Sequence, residues 1–517
     1  EFCFINNGVK IFAMGANYIP EDQIVTRCNE EKTRKLLADC KAANYNFIRV
    51  WGGGYYPDEY FYDYCDENGI IVWQDFMFAC SAYLLTEEFE ETVRGEVRDN
   101  VIRLRNHPSL GLWCGNNEIE SAWEYWGLPE DEEAKRDYLI IFEDIIPQVL
   151  KAYDPCENTF YWPSSPSSGG GFKDASSNHA GDMHYWDVWH NFKPIEAFRE
   201  FYYRFCSEYG FESLPDIKTC RAFADETKGD FDLCSPVMAA HQKCVQGNEK
   251  IMYYLAQMVR YPYDFKKLIY SSQLVQADCI RSNVEHMRRA RGRCMGSAYW
   301  QVNDSNPVIS WSSIDYYGRW KGLHYYAKRF YAPCLISCDD TERKKPVLNI
   351  SNERMTAFEG IVRWKLRNNK AEILQSGEKS VNVPALTAQN VLDIDLSQEL
   401  VSRTDPREKY LEYSIMENGK VLSFGTTLFV RPKEFTFLEP AITYGISESE
   451  DKFALTFCAE NYAKSVCLSL KTADCVFSDN WFDIHGKEPV TIMIDKASLS
   501  RKMTAQELSE ELEIMHN

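Results

Sequence analysis

The first 331 residues alternate between short apolar runs and segments of helical period. Eight runs have the length and the β-branched or aromatic texture of strands: 10–20, 47–54, 70–76, 109–118, 160–166, 181–189, 203–213 and 294–304. Helical patterns lie between them. Over 30–45, Leu36, Leu37 and Cys40 share one face, and further patterns cover 86–107 and 138–154. After the seventh run, Ile251, Tyr254, Leu255, Met258 and Val259 recur at i, i+3, i+4, i+7, i+8. Eight strand-then-helix units predict an α/β fold, a TIM or (β/α)8 barrel over 1–331. An open doubly wound sheet is the alternative. It requires a glycine-rich phosphate loop after the first strand, and Gly15-Ala16-Asn17-Tyr18-Ile19-Pro20 is not one.

Beyond Ala332-Pro333 the period changes from helical to alternating. Leu411, Tyr413 and Ile415 alternate with polar residues, Asn418-Gly419 supplies a type I′ hairpin turn, and apolar positions resume at Val421. Val466, Leu468 and Leu470 show the same period. This predicts two small all-β, immunoglobulin-like sandwiches, over 332–431 and 432–517, with Arg431-Pro432-Lys433 as the linker. The charged tail, 504–517, is expected to form a short helix or to fray.

Charge narrows the partners. The 57 basic and 77 acidic residues leave a net charge of −20, which argues against nucleic acid and anionic membrane surfaces. No apolar run approaches the roughly 18 residues of a membrane helix. Aromatic residues are dense, with 29 Phe, 31 Tyr and 13 Trp, a composition that suits ligands such as sugars, polar at the rim and apolar on the face. The 18 cysteines contain no Cys-x-x-Cys pair, so a four-cysteine zinc site or a thioredoxin-like site has no support. Reduced thiols in a reducing, cytoplasmic setting are expected. The chain opens Glu-Phe-Cys-Phe-Ile-Asn-Asn-Gly, without Met, a basic segment or a cleavage site, and is expected to begin inside a longer polypeptide.

Barrel chemistry sits where the strands end. The fourth run ends Trp113-Cys114-Gly115-Asn116-Asn117-Glu118 and the seventh ends Cys206-Ser207-Glu208-Tyr209-Gly210. Each delivers a carboxylate to the same rim. Two facing carboxylates are what glycosidic cleavage needs: one to protonate the leaving oxygen, one to meet the developing oxocarbenium ion.

These strand ends resemble clan A retaining glycosidases, and the wording is similar to β-mannosidases of glycoside hydrolase family 2. The resemblance rests on 15–20, Arg-Val-Trp-Gly-Gly-Gly at 49–54, 113–118, Ser-Glu-Tyr-Gly-Phe at 207–211 and Tyr-Trp-Gln-Val-Asn-Asp at 299–304. Trp-Ser-Ser-Ile-Asp-Tyr at 311–316 and Ser-Asp-Asn-Trp-Phe-Asp at 478–483 extend it to the whole chain. It implies that Glu118 is the general acid/base and Glu208 the nucleophile, with no cofactor and no metal. It further implies that Asn117 binds the sugar 2-hydroxyl and that Arg49 keeps Glu208 ionised. Trp51 and Trp300 would wall the sugar ring, Trp126 would cover the site, and Tyr185 and Trp186 would touch the sugar; His184 is equally readable as a core residue. The family carries a jelly-roll and an immunoglobulin-like domain before the barrel, so N-terminal domains of the same polypeptide are expected to complete the pocket. Where an aromatic residue is expected after Asn303-Asp304, the chain has Ser305-Asn306-Pro307. The expected activity is removal of terminal β-D-mannose from β-mannosides and manno-oligosaccharides by double displacement. The alternatives are endo-β-mannosidase, β-glucuronidase or β-galactosidase action, or a non-catalytic carbohydrate-binding relative.

Overall fold

The computed structural model describes residues 2–127, 131–156 and 160–517. Each of the eight predicted runs holds one parallel strand: β1 (Ala13–Tyr18), β2 (Phe47–Val50), β3 (Ile71–Asp75), β4 (Leu110–Cys114), β5 (Tyr161–Trp162), β6 (Met183–His184), β7 (Cys206–Glu208) and β8 (Gly296–Tyr299). Their order in the sheet is β5-β4-β3-β2-β1-β8-β7-β6, so the first and last strands pair and the sheet curls into the predicted barrel. The strands are shorter than the apolar runs because the chain leaves the ladder before each run ends. Gly15 permits the close β1–β2 approach: a Cβ there would lie 1.8 Å from the Phe47 carbonyl oxygen.

Strands β5 and β6 share no ladder among the described residues. Their seam is closed by the buried Asp182 carboxylate, which accepts from Trp162 Nε1 (2.8 Å), Ser165 Oγ (2.6 Å) and Ser167 N (3.0 Å). The opposite, strand-start end is filled with rings. A short hairpin, Phe4–Asn6 paired with Val9–Ile11, brings Phe2 and Phe4 against Phe47, Trp73, Trp162 and Phe205.

The helices follow their apolar spacing. Helix α1 (Glu30–Ala42) buries Leu36, Leu37 and Cys40 and is capped by Asn29, whose side chain accepts from Lys32 N at 3.0 Å. Helix α2 (Glu87–Leu104) buries Val93, Val97, Val101 and Leu104. The predicted helix over 138–154 is one helical stretch, Glu132–Leu139, Ile140–Ile145 and Ile146–Tyr153, whose middle piece is a π-helix. The pattern at 251–259 forms Gly247–Met258. A 25-residue helix, Phe265–Arg289, was not expected, because buried Gln273, Gln276 and Asn283 interrupt its apolar stripe.

The barrel sheet lies in one compact unit, Glu1–Gly210 with Ser282–Asn306; Phe211–Arg281 with Pro307–Asn517 forms another. The second unit contains the predicted all-β region. Its first part pairs a three-stranded and a four-stranded antiparallel sheet over a core that includes Leu348, Ile350, Val362, Leu366, Leu411 and Ile415. Asn418 and Gly419 have φ of 51° and 78°, as a type I′ turn requires. Its second part pairs two three-stranded sheets. The tail is more ordered than expected: Ala505–Glu511 is a helix with a Thr504–Glu507 capping box, and Leu512–Met515 is a strand paired with Tyr462–Leu470.

Phe47 packs edge-on against Trp73 and Phe205 inside the barrel and is fully buried. Phe47→Ala should cost about 3–5 kcal/mol by opening a cavity there, read as a lower midpoint in equilibrium denaturation with the barrel's near-ultraviolet signal as probe.

Candidate active site

Arg49 on β2 is fully buried, and each nitrogen of its guanidinium bonds a group from a neighbouring strand. Nε and Nη2 meet the two oxygens of Asp75 at the end of β3, at 3.3 and 2.8 Å. Nη1 donates to Asn17 Oδ1 on β1 at 2.9 Å and to Glu208 Oε1 on β7 at 2.6 Å. Nη2 also donates to Asn117 Oδ1 beyond β4 at 2.7 Å. Asp75 is further fixed by Trp73 Nε1 (2.8 Å) and Gly52 N (3.0 Å), and Asn17 Nδ2 donates to the Ser207 carbonyl at 2.9 Å. With its oxygen turned to Arg49, Asn117 points its amide NH2 the other way, toward Cys80 Sγ at 3.4 Å.

Glu118 lies just past β4 in left-handed conformation, φ 61° and ψ 9°, at the start of helix α3 (Ile119–Tyr125). That conformation costs a non-glycine residue on the order of 1–3 kcal/mol, and such strain concentrates at functional sites. The Glu118 N–H donates to the Ser165 carbonyl at 2.8 Å. The side-chain oxygens reach His184 Nδ1 at 2.7 Å and Cys80 Sγ at 3.8 Å. Glu208 Oε2 lies 3.4 Å from the same His184 nitrogen. One oxygen of each glutamate and this nitrogen all lie within 4.8 Å of one another.

The two carboxyls have unequal surroundings. Burial raises both. Glu208 is opposed by a direct, charge-assisted bond from Arg49, whose own proton Asp75 and Glu208 hold in place. Glu118 has no such cationic donor and is pushed up to about 7, mainly by burial. Burial also pushes the His184 imidazole down to about 4 and the Cys80 thiol up to about 12.

The sequence-predicted residues divide as follows. Arg49, Asn117, Glu118 and Glu208 converge in one hydrogen-bonded cluster. Trp51 and Trp300, past the ends of β2 and β8, stand edge-to-face at 5.0 Å and are partly exposed, as a ring-stacking wall requires. Trp126 is half-exposed two helical turns beyond Glu118, and Trp186 is partly exposed against His190 at 5.1 Å. Tyr185 is 3% exposed, packed among Phe198, Phe201 and Tyr203, with its hydroxyl 3.5 Å from the Ala197 carbonyl, and the structure does not bring it into the hydrogen-bonded cluster.

Sequence reasoning passed over Asn17 and Asp75, although both sit at strand ends, the same signal that singled out the glutamates. It left His184 open between a site residue and a core residue; the structure sets it between the two carboxyls. The Glu118–His184–Glu208 trio has the spacing of a cation site, but hydrogen bonds and Arg49 account for it without one. Asp63, Asp66 and His107 form a similar group, in which Asp66 (2.7 Å) and Glu59 (3.1 Å) engage both His107 nitrogens.

Residues 345–434 match the Mannosidase Ig/CBM-like domain and residues 437–517 the Ig-fold domain of mannosidases. The chain is 31% identical to β-mannosidase B of Aspergillus terreus over 96% of its length and 61% of that protein's. Against the β-mannosidase of Capra hircus it is 35% identical over 65% of its length and 40% of that protein's. The crystal structure of β-D-mannosidase from Dictyoglomus thermophilum superposes with a TM-score of 0.91 at 30% identity, covering 100% of this chain and 61% of that one. The chain therefore spans about three-fifths of the length of two of these relatives and less of the third. Fold and likeness together set the chain beside barrel proteins that carry mannosidase-type Ig domains. Within that class, the chain is similar to the β-mannosidases of glycoside hydrolase family 2.

No helix among the described residues is long and apolar enough to cross a membrane.

Two buried carboxyls, Glu118 and Glu120, are pushed up to about 7 by burial. The folded state thus binds their protons more tightly than the unfolded chain does. That contribution to stability is complete below the ordinary glutamate range and is lost as pH rises through about 7. Infrared difference spectra should show protonated carboxyl bands fading near neutral pH, and Glu118→Gln should remove one of them. Bands unchanged in Glu118→Gln would place the proton elsewhere.

Proposed function

We propose that this chain carries the catalytic centre of an exo-acting, retaining β-mannosidase that removes terminal β-D-mannose from β-mannosides and manno-oligosaccharides. The supporting observation is the Glu118–Glu208 pair: carboxyl oxygens within 4.8 Å, one bonded to a guanidinium and one not. Retaining glycosidases hold their carboxyls about 5–5.5 Å apart, whereas inverting ones leave about 6.5–9.5 Å for a water. The unequal environments favour the roles. Glu208, held as a carboxylate by Arg49, attacks the anomeric carbon. Glu118, holding its proton near neutral pH, delivers it to the departing oxygen. Glu118 then takes a proton from water, and the resulting hydroxide releases the sugar from Glu208. Asn117, its NH2 turned away from Arg49, is oriented to donate to the sugar 2-hydroxyl. Trp51 and Trp300 supply an apolar face for the ring, and Trp126 and Trp186 are placed as outer contacts. The mannose preference is carried over from the relatives named above. The eighteen free thiols support a reducing, cytoplasmic location.

The substrate assignment is tested by hydrolysis of aryl β-mannoside against aryl β-glucoside and β-galactoside; a preference for either of the latter two overturns it. Glu208→Gln, nearly isosteric but unable to form the glycosyl-enzyme, should abolish turnover with the fold intact by circular dichroism. Glu118→Ala should lower glycosylation by roughly 10²–10⁴-fold on substrates with poor leaving groups and far less on activated ones. Azide should then yield a β-glycosyl azide. Equal losses across leaving groups, without azide product, would assign the acid to another residue.

A further inference from the structure

Among the described residues, His184 is a titratable group that touches both carboxyls, and its remaining ring nitrogen faces a polar chain that leads to the barrel seam. Nε2 lies 3.0 Å from Ser165 Oγ. Ser165 Oγ donates to Asp182 Oδ2 at 2.6 Å, and Ser207 Oγ donates to the same oxygen at 2.5 Å. Asp182 Oδ1 accepts from Trp162 Nε1 and Ser167 N. Four donors converge on Asp182, so its oxygens serve as acceptors. A serine hydroxyl has one proton, and that of Ser165 is spent on Asp182. Toward His184, Ser165 Oγ therefore accepts only. The imidazole must carry its proton on Nε2 and turn a bare lone pair at Nδ1 toward the glutamates.

We propose that Asp182 and Ser165 are positioning residues that hold His184 in the Nε2–H tautomer, so that Nδ1 accepts the proton-bearing oxygen of Glu118 and keeps that side chain in its acid form. The inference rests on the acid/base reading of Glu118 given above. Of the two glutamates, Glu208 already accepts from Arg49 at 2.6 Å, and its distance to Nδ1 is the longer, 3.4 against 2.7 Å. Once Glu118 has lost its proton, its oxygen faces the Nδ1 lone pair with no hydrogen between them. That repulsion penalises the carboxylate and drives it to recover a proton, the task of the second half-reaction. The other tautomer would reverse the effect: an Nδ1–H would donate to the carboxylate and stabilise it. Burial, which pushes His184 down to about 4, supports a neutral ring through the working range. The charged and titratable groups around the pair are Arg49, Asp75, Glu208, Asp182 and Cys80. Arg49 favours ionised Glu118, Cys80 offers it only a long S–H contact, and Asp75 is neutralised by Arg49.

The test combines tautomer and pH profile. In protein labelled with ¹⁵N-histidine, the His184 resonances, assigned by their loss in His184→Gln, should show a protonated Nε2 and a bare Nδ1 in the wild type. Ser165→Ala removes the acceptor for Nε2–H and should shift the ring toward the Nδ1–H form. In the same variant, the basic limb of the kcat/KM profile on an aryl β-mannoside should move to lower pH by about one unit. Asp182→Asn should act in the same direction, and Ser165→Thr, which keeps the hydroxyl, should restore the wild-type limb. A wild-type Nδ1–H ring overturns the proposal, as does a Ser165→Ala variant that loses rate with its basic limb unmoved. The tautomer measurement needs no turnover, so a wild type inactive on every aryl glycoside would refute the functional reading while leaving this inference to be decided by the spectrum.

Discussion

The rim of the barrel is organised around one buried charge. Arg49 reaches Asn17, Asp75, Asn117 and Glu208, and so ties the ends of β1, β3, β4 and β7 to β2. A guanidinium without solvent is tolerated only when its donors are matched and its charge is balanced. Asp75 supplies a dedicated counter-ion with its own second contacts. Glu208 supplies the other, through a direct bond from Nη1 that opposes the effect of burial on its carboxyl. The same fork turns Asn117 so that its amide faces outward. Structure and site thus share one set of bonds.

Around this centre the two glutamates are separated in chemistry although nearly in contact. Both are buried and both are raised by desolvation. What differs is the partner: a guanidinium for Glu208, a neutral imidazole and a distant thiol for Glu118. Two like carboxyls in one site cannot both ionise freely, and unequal neighbours decide which one does. The imidazole is in turn aligned from the β5–β6 seam, where Asp182 closes the sheet with its side chain in place of a ladder. Asp182 thus both bridges the β5–β6 seam and reaches His184 through Ser165.

The sequence by itself determined the positions of the eight barrel strands, the change to alternating β-structure after residue 332, and the placement of Glu118 and Glu208 at strand ends. Short apolar runs and their ends are local signals, and a parallel barrel gathers strand ends at one rim whatever the details of packing. Tertiary structure decided the rest. Asn17 and Asp75 matter because Arg49, dozens of residues away from either, lies between them. Tyr185 packs under the chain at 194–203, which its neighbours in sequence do not reveal. The helix at Phe265–Arg289 buries Gln273 and Gln276, whose partners come from other segments, so its polar positions disguise its period. The acid form of Glu118 depends on burial and on the neutral ring of His184, a residue 66 positions further along the chain. A proton's preferred place is fixed by desolvation and by which donors and acceptors face it, and those are assembled only when the strands close.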